Sequence, residues 1–94
     1  MNEIKDISNI LGKINSQNDI CNFLLEILTD SEVETLSKRW RILKMLNEGK
    51  TQREISKELQ VSLCKVTRGS KILKNKKSVI TKYLKGEVKD GDTK

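Results

Sequence analysis

The chain has no histidine and no proline, and only one residue each of tryptophan, tyrosine and phenylalanine among its 94 residues. Without histidine it lacks the commonest general base and metal ligand of proteins. The two cysteines, Cys21 and Cys64, form no Cys-x-x-Cys pair, so neither a zinc site nor a disulfide framework is expected. There is also no glycine-rich phosphate loop, and an enzyme is not expected. Few aromatics and no proline favour an all-α fold.

The length and the charge of the chain indicate how many domains it has and what kind of partner it binds. A chain this short predicts one domain, which we place at residues 1–88, followed by a disordered tail over residues 89–94. The formal net charge is +6 and the isoelectric point is about 9.4, which favours a polyanionic partner. No signal peptide and no apolar run of 18 residues occurs, so we expect a soluble cytoplasmic protein that does not enter a membrane.

The most informative stretch is residues 51–75, which predicts a helix-turn-helix. Thr51 and Glu54 have the spacing of a capping box at the start of the first helix, and Ser62 can cap the second. Ile55 shares a face with Leu59, four residues on, and the second helix turns one aliphatic residue inward. That inward residue is Val66, and the residues expected to face outward are Leu63, Lys65, Thr67, Arg68 and Lys71. A helix that is buried on one side and basic on the other suits the major groove of a DNA duplex.

The same pattern would also fit an ordinary helical hairpin in a small domain, and the overall positive charge is what favours DNA. A purely structural dimerisation protein would leave the basic second half without a role. RNA binding would use the same cations, but the chain lacks the aromatic residues on which single strands stack.

Four further helices are predicted around this motif, about six in all. Residues 3–14 and 19–28 carry so much apolar surface for a short chain that a homodimer is expected to cover it. A third helix starts at Thr29, with Glu32 completing a capping box, and ends at Gly49. A last helix begins after Ser78, and its inward residues are expected to be Ile80, Tyr83 and Leu84.

Several short segments of the sequence resemble the tryptophan repressor family. They are Leu28-Thr29, Arg39-x-Arg41-Ile42, Leu46-x-x-Gly49, Thr51-Gln52-Arg53-Glu54-Ile55 and Val66-Thr67-Arg68-Gly69-Ser70-x-x-Leu73-Lys74. The resemblance covers roughly residues 20–85. It implies an all-helical, intertwined homodimer that binds operator DNA of tryptophan biosynthesis or uptake genes when L-tryptophan is bound as co-repressor.

The resemblance also implies site residues. Arg39 and Arg68 would sandwich the indole ring of tryptophan between their guanidinium planes, as stacked arginines can. The ligand ammonium would lie near the carbonyls around Leu28, with Thr29 beside it from the other subunit. Contacts to DNA would come from Arg53, Leu63, Cys64, Lys65 and Thr67 in the groove, and from Lys74 on phosphates.

The sequence departs from the family at the ligand site. Ile72 stands where the family has a serine that helps to hold the amino group of the ligand, and the loop from Gly49 to Thr51 is one residue shorter. The alternative is therefore a related regulator that binds duplex DNA without tryptophan, or with another ligand.

Overall fold

The computed structural model describes residues 2–86, which form six α-helices and no strand. The helices are α1 (Glu3–Lys13), α2 (Gln17–Ile27), α3 (Asp30–Asn47), α4 (Gln52–Leu59), α5 (Leu63–Lys74) and α6 (Val79–Leu84). The all-α prediction is confirmed. None of these six helices combines the length and the apolar character that crossing a membrane requires. The tail predicted over residues 89–94 lies outside the described residues.

The described residues divide into two units, with the boundary between Glu34 and Thr35. In the first unit, α1 and α2 begin at side-chain caps, with Asn2 accepting from the Lys5 amide and Ser16 from the Asp19 amide. These two helices contain no buried residue, although both carry aliphatic side chains. Ile4 is 74% exposed, and Ile10, Leu25 and Ile27 are also exposed. Much of the apolar surface of α1 and α2 is therefore exposed.

The predicted ends of α3 are confirmed by their hydrogen bonds. At its start, the Thr29 amide donates to the Glu32 carboxylate at 2.9 Å, and the Glu32 amide donates to the Thr29 hydroxyl at 3.1 Å. At its end, Gly49 has a φ of 98°, a conformation that a residue without a side chain adopts at little cost. The Lys50 amide then donates to the Met45 carbonyl at 3.1 Å, closing the helix.

The second unit is built around one small core contributed by α3, α4 and α5. Its centre is Ile42, Ile55 and Val66, and the last two have no solvent exposure. The half-buried residues that pack against this centre are Met45, Leu46, Leu59 and Val61. Burying a side chain of this kind contributes about 1.5–3 kcal/mol, so these few residues hold α4 and α5 against α3.

Gly69 lets α5 lie close to α3. A Cβ atom at this position would meet Ile42 Cγ2 at 3.0 Å and Leu46 Cδ1 at 3.3 Å. Glycine inside a helix costs about 1 kcal/mol relative to alanine, so its presence here needs a reason. The close packing of the two helices supplies that reason.

The sequence-based prediction for the inward face of α6 is wrong in part. Tyr83 is 56% exposed and Ile80 is exposed, whereas Leu84 is half-buried. The buried residue is Thr81, at 3% exposure, and its hydroxyl donates to the Ile72 carbonyl at 2.7 Å. That carbonyl lies in the last turn of α5 and also accepts from the Asn75 amide at 3.2 Å, so Thr81 adds a second donor at a helix end. A polar side chain therefore turns α6 towards α5 and leaves aliphatic and aromatic residues on its outer side.

Candidate nucleic-acid interface

The start of α4 is fixed by the predicted capping box. The Thr51 amide donates to the Glu54 carboxylate at 2.8 Å, and the Glu54 amide donates to the Thr51 hydroxyl at 3.2 Å. Hydrogen bonds from the Thr51 backbone and side chain, with the nearby charge of Lys50, lower the pKa of Glu54. Because folding lowers this pKa, the stabilising effect is complete above the usual carboxyl pKa. It disappears as the pH falls through the lowered value.

The turn between α4 and α5 is held by two hydrogen bonds and one left-handed residue. Gln60 has φ 56° and ψ 48°, a conformation that is uncommon for a residue with a side chain. The Val61 amide donates to the Ser56 carbonyl at 3.1 Å, and the Ser56 hydroxyl donates to the Val61 carbonyl at 2.6 Å. The angle at which α5 leaves α4 is therefore set by local contacts as well as by the core.

The two sides of α5 have different environments. Val66, Gly69 and Leu73 are buried, as the spacing of three and four residues along a helix requires. The rest of α5 exposes most of the residues that the sequence predicts at DNA, which are Leu63, Cys64, Lys65 and Lys74. Arg68 and Lys71 are exposed as well. Arg53, predicted in the same set, is exposed on α4.

Thr67 is less exposed than the sequence suggests. It is half-buried, and its hydroxyl lies 3.0 Å from Gln52 Oε1 and 3.0 Å from the Leu63 carbonyl oxygen. Gln52 is the first residue of α4, so this contact joins the start of one helix to the middle of the other.

The charge of the chain is concentrated on one part of the second unit. Residues 59–86 contain eight lysines and arginines and no aspartate or glutamate, whereas residues 1–34 contain two lysines and seven acidic residues. The positive stretch begins just before α5 and continues through α6. A surface of one charge sign attracts the opposite charge over several ångströms, and phosphate backbones supply that charge.

The residues predicted to bind tryptophan fall in different units. Arg39 is exposed on α3 and Arg68 is exposed on α5, both in the second unit. Arg68 lines an open groove along α5 whose other lining residues are Cys64, Thr67, Lys71, Ile72 and Asn75. Leu28 and Thr29 belong to the first unit, where Leu28 ends α2 and the Thr29 side chain caps α3.

Two residues that position the basic helix were missed by reasoning from the sequence. The first is Gly69, which lies three residues after Val66 and therefore on the same inner face of α5. A glycine at such a position is a signal that another element approaches closely. Gln52 gave no local signal, because its partner Thr67 is 15 residues away.

Comparisons with known proteins agree with this geometry. A model of the family described as Trp repressor protein matches residues 2–87. Over 62 residues, covering 65% of this chain and 67% of the relative, the chain is 45% identical to a Trp operon repressor homolog of Xylella fastidiosa. It is 33% identical to a Trp operon repressor homolog of Chlamydia caviae over 81 residues, which is 85% of this chain and 80% of that protein. A Trp operon repressor homolog of Chlamydia trachomatis is 37% identical over 62 residues, 65% of this chain and 66% of that one.

No solved structure gives a significant match. The family match extends over all of the described residues, and the Xylella and Chlamydia caviae relatives are 45% and 33% identical to the chain over the matched residues. Proteins of this family are DNA-binding regulators and not enzymes, as the sequence predicts for this chain. The chain belongs to the Trp repressor family and is a transcriptional regulator of that kind.

Proposed function

We propose that the protein is a repressor that binds duplex DNA through α4 and α5, with α5 as the recognition helix in the major groove. The observation that supports this most directly is the division of α5 into a buried aliphatic side and an exposed basic side that contains no carboxylate. Arg53, Leu63, Cys64, Lys65 and Thr67 would meet the groove, and Lys74 a phosphate. Lysine donates to the guanine acceptors of the major groove, and an aliphatic side chain can contact a thymine methyl group.

Replacing Lys65 by alanine is expected to relax base preference, since one good base contact is worth about 1–3 kcal/mol. The measurement compares affinities for a duplex selected in vitro by the wild-type protein and for a scrambled duplex at one salt concentration. Lys57→Ala is the matched control, because Lys57 is an exposed lysine of α4 that lies beside Glu54 and Glu58. Unchanged selectivity in Lys65→Ala would show that Lys65 does not contact the bases. Tighter binding to an RNA hairpin than to duplex DNA would contradict the proposal as a whole.

We also propose that the protein acts as an intertwined homodimer in the cytoplasm, with residues 1–88 as one repressor domain. Support comes from α1 and α2, which contain no fully buried residue and expose several aliphatic side chains, and from the exposed Leu36, Trp40 and Val79 of the second unit. Apolar surface of this extent on a short chain is typical of an interface between subunits. Analytical ultracentrifugation at micromolar concentration should show a dimer. A compact, folded monomer would contradict this part of the proposal.

L-tryptophan is the co-repressor that the family relationship favours. Arg39 and Arg68 would hold the indole ring between them, while Leu28 and Thr29 would lie near the ammonium group, at a helix end whose carbonyls favour cations. Because Arg68 also belongs to α5, a ligand at this site would influence how α5 meets DNA. The controlled operators would then be those of tryptophan biosynthesis or uptake genes.

Tryptophan is expected to raise the affinity for the selected duplex, with a coupling free energy of about 1–3 kcal/mol, and DNA should raise tryptophan affinity by the same factor. Calorimetric titration with and without duplex measures both. Arg39→Ala should remove the effect. Arg41→Ala is its control, because residues two apart on α3 point to different sides. No heat and no gain in duplex affinity at millimolar tryptophan would exclude tryptophan as the ligand.

A second candidate is a regulator that binds DNA without tryptophan or with another ligand. Ile72 supports it, because this half-buried aliphatic side chain lines the groove beside Arg68 and offers no hydroxyl to a ligand ammonium. A missing hydrogen bond of this kind weakens binding by about 0.5–1.5 kcal/mol. DNA binding that is tight and indifferent to tryptophan would identify this candidate as the correct one.

A further inference from the structure

The contact between Gln52 and Thr67 is limited by the number of protons available to it. A threonine hydroxyl carries one proton, yet Thr67 Oγ1 lies 3.0 Å from two acceptors, Gln52 Oε1 and the Leu63 carbonyl oxygen. It can donate fully to only one of them. The oxygen and nitrogen of a glutamine carboxamide are interchangeable assignments, and turning the amide would place an N–H of Gln52 at the Thr67 oxygen.

Both arrangements leave at least one N–H group of the Gln52 carboxamide without a partner in the protein. If Thr67 donates to Leu63, it accepts from one N–H of Gln52, and the second N–H stays free. If Thr67 donates to Gln52 Oε1, both N–H groups of the carboxamide stay free. In each case the Thr67 proton is used inside the protein, and Gln52 keeps at least one donor. Within residues 2–86 the Gln52 side chain has no other hydrogen-bond partner.

The location of Gln52 gives that donor a use. Gln52 is half-buried at the first position of α4, next to Arg53, and is tied to the middle of α5. The neighbouring helix α5 is positively charged, since it carries Lys65, Arg68, Lys71 and Lys74 and no acidic residue. An N–H group held in such a place can donate a hydrogen bond to a duplex, either to a phosphate oxygen or to an oxygen or nitrogen on a base edge. A carboxamide that is already held by a second residue also loses little side-chain freedom on binding.

We propose that Gln52 and Thr67 form one recognition unit, in which the Thr67 hydroxyl orients the Gln52 carboxamide and a free N–H of Gln52 donates to the duplex. Gln52 is then a DNA-contacting residue, and Thr67 is a positioning residue that acts through it. The inference rests on the proposed DNA-binding role of α4 and α5, and it changes the role assigned to Thr67 from direct donor to support.

The test is a double-mutant cycle measured as duplex affinity at one salt concentration. Gln52→Met removes the donor and keeps the length of the side chain, Thr67→Val removes the hydroxyl and keeps its shape, and Thr67→Ser retains the hydroxyl. We expect Gln52→Met to lower affinity for the selected duplex about 2- to 12-fold, as removal of one hydrogen bond does. The double variant should be no weaker than Gln52→Met alone, and Thr67→Ser should bind as the wild type does.

A scrambled duplex distinguishes the two acceptors. Equal decreases in affinity on both duplexes indicate a phosphate, whereas a decrease confined to the selected duplex indicates a base edge. Decreases that multiply in the double variant, or wild-type affinity in Gln52→Met, would overturn the inference. Thermal melting of each variant distinguishes unfolding from weaker binding by a folded protein. If Thr67→Val unfolds, the duplex affinities of Thr67→Ser and Gln52→Met can still be compared. Failure of the wild-type protein to bind any duplex would instead contradict the proposed function.

Discussion

Replacing Ile55 by alanine is expected to lower the free energy of unfolding by about 2–5 kcal/mol, the range for removing a large aliphatic side chain from a packed core. Ile55 has no solvent exposure and sits between α3 and α5 at the centre of the small core. Few other buried residues stabilise this unit, so the cavity should weaken the attachment of α4 as a whole. Urea unfolding followed by circular dichroism measures the change.

Leu63→Ala is the matched control for that experiment. Leu63 is also a large aliphatic residue of the second unit, but it is 47% exposed at the start of α5. Its replacement should change stability by less than about 1 kcal/mol while reducing duplex affinity. Equal destabilisation in the two variants would mean that the described core does not stabilise the fold of this unit.

The second large effect concerns salt. Raising the salt concentration from 50 to 200 mM is expected to lower duplex affinity by about 10³-fold or more. A decrease of that size corresponds to six or more neutralised phosphates. Residues 59–86 provide eight cations in each chain, with no carboxylate side chain among them to offset their charge. Electrophoretic mobility shifts or fluorescence anisotropy at several salt concentrations give the slope of affinity against salt.

Lys74→Ala should reduce that slope by about one, because one lysine fewer neutralises a phosphate, and should weaken binding to all duplexes alike. Lys13→Ala is the control, because it removes the same charge from the last turn of α1 in the acidic first unit. A slope near zero for the wild-type protein would show that phosphate contacts do not supply the affinity. An unchanged slope in Lys74→Ala would mean that this lysine does not bind the DNA backbone.

Local signals predicted most of the fold in this chain. The capping boxes at Thr51 and Thr29, the glycine end at Gly49 and the caps at Ser62 and Ser78 each involve residues within a few positions of one another. The inward positions of Ile55 and Val66 follow from helical spacing alone. Patterns that repeat over three or four residues are therefore enough to predict these helices and one face of each.

What the sequence did not predict depends on contacts between distant residues. Thr81 takes the inner side of α6, where its hydroxyl donates to the Ile72 carbonyl of α5, whereas apolar periodicity wrongly favoured Ile80 and Tyr83. The contact of Gln52 with Thr67 and the close approach at Gly69 also join separate helices. The site residues Arg39, Arg68, Leu28 and Thr29 stay predictions, since their roles require a ligand and a second subunit.

The buried residues of α5 are separated from its exposed residues by the half-buried Thr67, Ser70 and Ile72, and this division bears on how such regulators diversify. Val66, Gly69 and Leu73 anchor the helix, so substitutions at its fully exposed positions are expected to change its attachment little. Operator preference can then drift by point substitution without passing through a sequence that fails to fold. Duplicated copies in one genome could acquire separate targets in this way. The exposed positions, moved together with Gln52, would be the smallest segment to graft when retargeting the protein.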